Sequence, residues 1–202
     1  MIAVVTGDIV NSAKVKPTVY LKILKGFLEK QGKPPKSWEI FRGDSFQFKC
    51  KPEDAFRKFL LLKSKIKQIS GLDIRISIGV GTLDYEAPKI SESNGSAFVN
   101  SGRTFDTMKG SQYLVFTTGN NEVDKILNLL ARFASPWMDG WTVAGALAVE
   151  IILEHPRWNQ QQIAARLKIN QSAVSQNRKR TQLDTLLEFD EYYRTIITSL
   201  KP

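Results

Sequence analysis

The order of apolar patterns along the chain is the feature that most constrains its fold. Alternating or continuous apolar runs predict strands, and apolar residues at a spacing of 3.6 predict helices. The patterns run strand, helix, strand, strand, helix and strand over 2–6, 18–31, 38–42, 45–50, 52–70 and 73–81. A helix, a strand and a helix follow over 97–109, 112–117 and 123–134. The sequence therefore predicts an α+β fold for this part of the chain.

The first six elements have the β-α-β-β-α-β order of the split βαβ, or ferredoxin-like, arrangement. In that arrangement one antiparallel sheet carries both helices on one face, and the first strand lies beside the third. Asp8 follows the first strand and Asp44 precedes the third, so we expect their carboxylates at the same edge of the sheet. Facing carboxylates repel unless they share a cation or a proton, and Mg²⁺ binds one or two carboxylates together with substrate phosphates. The pair therefore indicates a divalent-metal site, and the alternative is a capping role for Asp8 and a turn role for Asp44.

The stretch SPWMDGW, at 135–141, contains proline and glycine and predicts a break between two domains, 1–138 and 139–202. The second domain is predicted to be all α-helical. Its helices are expected over 142–154, 160–167, 171–181 and 183–200.

Two of these helices are separated by only three residues, which predicts a helix-turn-helix. Ala164 is small enough for a close helix crossing, and Ile169 and Val174 are expected in the core. Asn170 is a good cap for the second helix. Lys168 stands in the turn where a glycine is usual, at a position expected to need a positive φ.

The second helix of this pair carries the side chains expected to contact DNA. Between 155 and 183 the chain has six Lys or Arg residues and no acid, and the whole chain has a net charge of +9. Gln and Arg read adenine and guanine in the major groove, and basic side chains contact phosphates. The candidate DNA-binding residues are Gln171, Ser172, Ser175, Gln176, Arg178, Lys179 and Arg180. A helix pair used for protein contact is the alternative.

Four motifs of the first domain, TGDIVNS, FRGDSF, RISIGVG and GSAFVNSGRTFD, resemble class III nucleotide cyclases in order and spacing. The middle two also resemble GGDEF-type diguanylate cyclases, which share a palm-like ferredoxin fold. Nearly the whole chain is similar to the SatD family, in which such a domain precedes a helix-turn-helix. The resemblance implies that Asp8, Asp44 and the backbone carbonyl of Ile9 hold Mg²⁺ or Mn²⁺. It also implies a catalytic, transition-state role for Arg103, eight residues after Gly95, in phosphoryl chemistry.

The chain departs from the cyclase pattern where the purine base is recognised. Val99 replaces the asparagine that precedes the cyclase arginine, and Ile40 replaces the purine-reading lysine. The motif RGDSF lacks the second glycine and the glutamate of the GGDEF pattern. These departures favour a domain that senses a nucleotide or a metal over an ordinary cyclase.

Composition indicates the cellular setting. The single cysteine excludes an intrachain disulfide and favours a reducing cytoplasm. No apolar run approaches the ~20 residues of a membrane span, and the N-terminus does not resemble a signal peptide.

Three functions remain open on these observations. The first is a DNA-binding transcriptional regulator with a degenerate, ligand-sensing cyclase-like domain. The second is a Mg²⁺- or Mn²⁺-dependent nucleotide enzyme with an accessory helix-turn-helix, and the third is a dimerisation scaffold. We expect double-stranded DNA and a nucleotide as partners and a homodimer as the assembly, with Arg103 facing the partner's aspartates.

Overall fold

A computed structural model of the chain describes residues 1–110 and 112–200. Within these residues five strands form one sheet: β1 Ile2–Val10, β2 Trp38–Phe41, β3 Ser45–Cys50, β4 Asp73–Gly81 and β5 Leu114–Thr117. Their order is β2-β3-β1-β4-β5. The pairs β2–β3, β3–β1 and β1–β4 are antiparallel, whereas β5 is parallel to β4, so the sheet is mixed. The predicted antiparallel pairing of β1 with β3 is confirmed, with Asp8 opposite Ser45.

The described part of the chain also contains eight α-helices: α1 Pro17–Leu28, α2 Ala55–Ile66, α3 Ser96–Thr107, α4 Asn121–Asp139, α5 Val143–Glu154, α6 Gln160–Leu167, α7 Gln171–Arg180 and α8 Leu183–Ser199. Four of these helices, α4 to α7, begin at a residue whose side chain accepts a backbone N–H of the first turn. These caps explain why helices begin where they do, because the first N–H groups of a helix have no partner within it.

The prediction that 135–141 breaks the chain was wrong over most of its length. Helix α4 continues through Pro136 to Asp139. A proline inside a helix costs about 3 kcal/mol, and burial of Ala134 and Met138 on the inner face of the helix opposes that cost. The helix ends at Gly140, whose N–H donates to the carbonyl of Pro136.

The two faces of the sheet are covered differently. Side chains such as Val5 and Ile78 belong to the main apolar core, which also contains residues of α1 and α2. Helix α3 covers the other face at close range. A Cβ on Gly79 would lie 2.4 Å from the carbonyl oxygen of Ala97, so this glycine permits the contact. The Ser101 hydroxyl of α3 donates to Thr6 of β1 at 2.8 Å.

Residues on either side of the predicted 138/139 boundary share one apolar core. The ring of Phe56 in α2 lies 4.3 Å from that of Phe189 in α8, centroid to centroid. The Tyr193 hydroxyl donates to the carbonyl of Pro52 at 2.8 Å. Helices α5 and α8 therefore pack on α2 of the sheet-and-helix layer, and the boundary itself lies in the last turn of α4. The last two residues of the predicted second domain lie outside the described part of the chain.

Candidate functional site

The connection between α6 and α7 is the local feature that orients the basic C-terminal surface. Lys168 has φ 57° and ψ 41°, which confirms the prediction that it occupies a left-handed position. Its N–H and that of Ile169 donate to carbonyls of the last turn of α6. The Asn170 side chain then accepts the N–H of Ala173 at 2.7 Å and starts α7. The chain thus passes from α6 to α7 within three residues, with hydrogen bonds at both helix ends.

The contact between α6 and α7 is made by small and β-branched residues. Ile163, Ala164 and Val174 are buried, which confirms the inward positions predicted for them. The prediction for Ile169 was wrong, because it is 38% exposed. The three buried residues complete the helix contact, so the turn itself lies at the surface.

Helix α7 presents a continuous polar surface to solvent. At 3.6 residues per turn, its exposed side chains occupy one half of the circumference. We call this the α7 polar surface, and it consists of Gln171, Ser172, Ser175, Gln176, Lys179 and Arg180. It contains no acid, and among the described residues neither Lys179 nor Arg180 has an ion-pair partner.

Arg178 lies at the border of the α7 polar surface and is half-buried. Its Nε donates to Oδ1 of Asp184, in the first turn of α8, at 2.5 Å. The structure therefore brings six of the seven predicted DNA-binding residues together and gives the seventh an acidic partner. Sequence reasoning missed Asp184, although an acid six residues after an arginine was a visible signal.

The other candidate site lies at the end of β1. Asp8 is half-buried and accepts Nη2 of Arg75 at 2.6 Å and Nε at 3.3 Å. Arg75 is its cross-strand partner in β4, and the guanidinium also lies 4.9 Å from the ring centroid of Phe105 in α3. A protein cation thus compensates the Asp8 carboxylate. Sequence reasoning missed Arg75, whose signal was its position in the strand that pairs with β1.

Asp44 lies beside the same end of β1. Its backbone carbonyl accepts the N–H of Ile9 at 3.2 Å, and its Oδ2 accepts the Ser12 hydroxyl at 2.6 Å. Because N–H and C=O of a strand residue point to the same side, the Ile9 carbonyl also faces Asp44. Burial and, secondarily, the Asp44 charge raise the pKa of the Tyr20 phenol. The three predicted metal ligands therefore lie on neighbouring strand ends.

A divalent ion would compete with Arg75 for the Asp8 carboxylate, because the guanidinium donates to both of its oxygens. In the described part of the chain, no group of three or more His, Cys, Asp or Glu residues is arranged to hold a metal. The protein therefore offers two carboxylates and a carbonyl, with an internal cation in competition.

Arg103 lies apart from the two aspartates within one chain. It is exposed on α3, roughly opposite the Ser101 side that faces the sheet. Over residues 1–110 and 112–200 it has no ion-pair partner. A role beside Asp8 and Asp44 would therefore require a second copy of the chain.

The described helices include none that is long and apolar enough to cross a bilayer. No protein-family model, curated protein or solved structure matches the chain.

Proposed function

We propose that this protein binds double-stranded DNA through the α7 polar surface, with α6 and α7 acting as a helix-turn-helix. The observation that carries the proposal is an acid-free half of a helix whose two cations, Lys179 and Arg180, have no ion-pair partner within residues 1–110 and 112–200. A helix with a purely structural role does not need a solvent-facing half that lacks acidic residues. The major groove of DNA, in contrast, is wide enough to admit an α-helix. The net charge of +9 supports attraction to a phosphate backbone.

The side chains divide by their position on α7. In helix-turn-helix complexes the N-terminal residues of the second helix approach base edges, which assigns Gln171, Ser172, Ser175 and Gln176 to bases. Lys179 and Arg180, near the C-terminus, are assigned to phosphates. Arg178 is paired with Asp184, so it can contact a phosphate only if it weakens or breaks that ion pair. Its contribution to DNA affinity should therefore be smaller than that of Arg180.

Replacing Lys179 and Arg180 together with Ala should reduce the salt dependence of DNA binding. Each lost phosphate contact lowers the slope of log K against log salt concentration by about one unit. We expect a reduction of about two units, equal for all duplexes. Fluorescence-polarisation titrations at several salt concentrations measure it.

The matched control replaces Lys22 and Lys25 of α1, which are also exposed lysines. This control should leave the slope within half a unit of the wild type, since general charge effects are screened beyond about 10 Å at 0.1 M salt. Wild-type protein that shows no salt-dependent binding to any duplex would contradict the proposal.

We further propose that the N-terminal part is a degenerate cyclase-like domain of the SatD type, with a ferredoxin-like core, that senses a divalent metal, a nucleotide or both. The strand order β2-β3-β1-β4 supports this, as does the position of Asp8, Ile9 and Asp44 on neighbouring strand ends. A bound metal would supply charge neutralisation for phosphates. The alternative, a phosphoryl-transfer enzyme, also needs Arg103 from a second copy.

Replacing Arg75 with Gln should strengthen metal binding, because the Asp8 carboxylate then loses its competing cation. We expect a larger Mn²⁺-induced rise in Tm than in the wild type, and a ligand at 100 times its Kd adds about 2.7 kcal/mol. Thermal-shift titrations with Mn²⁺ and Mg²⁺ measure it. Asp8→Asn in the same background should abolish the rise, and a rise that survives this change would exclude Asp8 as a ligand.

A further inference from the structure

Helix α4 exposes a row of large apolar side chains. We call Ile126, Leu129, Phe133 and Trp137 the α4 stripe. These residues are 43%, 46%, 66% and 39% exposed. Their spacing of three, four and four residues places them on one side of the helix, as in the seam of a coiled coil.

The α4 stripe is separate from the side of the helix that faces the core. Leu127, Ala131, Ala134 and Met138 are buried on that inner side. A surface helix normally has one apolar face, and a helix that is apolar more widely is buried. Helix α4 therefore has two apolar sides, of which its packing on the core covers only the inner one.

The exposed area of the stripe is comparable to that of the largest apolar patch on a typical monomer. Large apolar side chains present roughly 150–250 Å² each, so these fractions leave on the order of 400 Å². A patch of that size on a soluble monomer often marks an interaction surface. Two copies would bury about 800 Å² from the stripe alone, and neighbouring residues would have to supply the remainder of the roughly 1,200 Å² of a stable dimer.

No other segment of the 202-residue sequence is available to cover the stripe. Only Ser111, Lys201 and Pro202 lie outside the described part. Three residues are too few, because the stripe spans eleven helical steps, or about 16 Å.

The spacing of the stripe, three, four and four residues, matches its own reverse to within one residue. In an antiparallel pair centred between 131 and 132, Ile126 is level with the partner's Trp137, and Leu129 lies one residue, or about 1.5 Å along the axis, from the level of the partner's Phe133. Each apolar side chain of the stripe then faces an apolar side chain of the partner. Each of these contacts occurs twice, because the two copies are related by a two-fold axis. An unrelated partner would not require this self-complementarity.

We propose that the α4 stripe is the interface of a homodimer, in which the α4 helices of two copies pack antiparallel. The dimer itself does not depend on DNA binding. Its use to present two α7 helices to two half-sites rests on the proposed function.

Changing Leu129 and Phe133 together to Glu should convert the dimer into a monomer. Four added charges at a two-fold interface repel and lose the apolar contact. Sedimentation equilibrium of the full chain without DNA, at 1–50 µM, measures the mass. We expect a dimer for the wild type and at least a 100-fold weaker association for the variant, with an unchanged circular-dichroism spectrum.

Tyr85→Glu is the matched control. Tyr85 also has a large, partly apolar side chain that is 60% exposed, but it does not belong to α4. It should remain dimeric. High salt should preserve the dimer, since apolar burial is not weakened by screening, whereas DNA binding falls. The two proposals can therefore fail separately.

Cysteine cross-linking tests the antiparallel arrangement directly. An equimolar mixture of Ile126→Cys and Trp137→Cys should form a disulfide-linked heterodimer, whereas each variant alone should not, since Cα atoms beyond 7 Å cannot be bridged. Wild-type protein controls for Cys50, the one native cysteine. A wild type that is monomeric at 50 µM, or single variants that cross-link to themselves, would overturn the proposal.

Discussion

Lys63→Met should lower the free energy of unfolding by about 3–5 kcal/mol, the usual cost of removing one partner from a buried ion pair. The Lys63 side chain is fully buried, and its Nζ donates to Oδ1 of Asp73 at 2.7 Å and to Oδ1 of Asp139 at 2.8 Å. Met has a similar shape, so the change removes the charge and retains the packing. The Nζ of Lys67 contacts the other carboxylate oxygen of Asp73 at 3.3 Å and donates to the backbone carbonyl, not the carboxylate, of Asp139 at 2.6 Å.

Urea unfolding of the full chain measures this loss, and Lys125→Met is the matched control. Lys125 pairs with Glu122 at 2.7 Å, but both side chains are more than two-thirds exposed. Exposed pairs contribute about 0–1 kcal/mol, so the control should change little. Equal losses for the two variants would mean that Lys63 is not the charge that joins β4 to the end of α4.

Gln171→Ala and Gln176→Ala should each cost about 1–3 kcal/mol of binding to a preferred duplex, and little on random DNA. A glutamine bidentate to adenine distinguishes bases, whereas nonspecific binding depends on phosphates. The expected loss is therefore about 5-fold to 150-fold in Kd for each variant at constant salt.

A duplex selected from random sequence by the wild-type protein provides the preferred site, and polarisation titrations compare it with a scrambled duplex. Gln161→Ala is the control, because Gln161 is an exposed glutamine on the neighbouring α6. It should leave the preference for the selected duplex unchanged. If both α7 variants behave like this control, α7 does not read bases.

Much of the local structure followed from sequence because it depends on neighbours along the chain. The strands β3 and β4 begin and end where the patterns predicted. Lys168 adopts a left-handed conformation because three residues must reverse the chain. Asn170 begins α7 because its side chain accepts an otherwise unpaired N–H. The pairing of β1 with β3 followed from the order of elements.

Only the tertiary structure decided which distant groups meet. Pro136 lies within a helix because burial of its neighbours outweighs a local preference to end it. Asp8 is paired with Arg75, and Arg178 with Asp184, through contacts between separate elements. The side of α4 that remains exposed is set by where the helix packs on the core. The sequence by itself determined the elements, caps and turns, because these are local free-energy choices. Charge pairing and exposure were decided by packing between residues far apart in the chain.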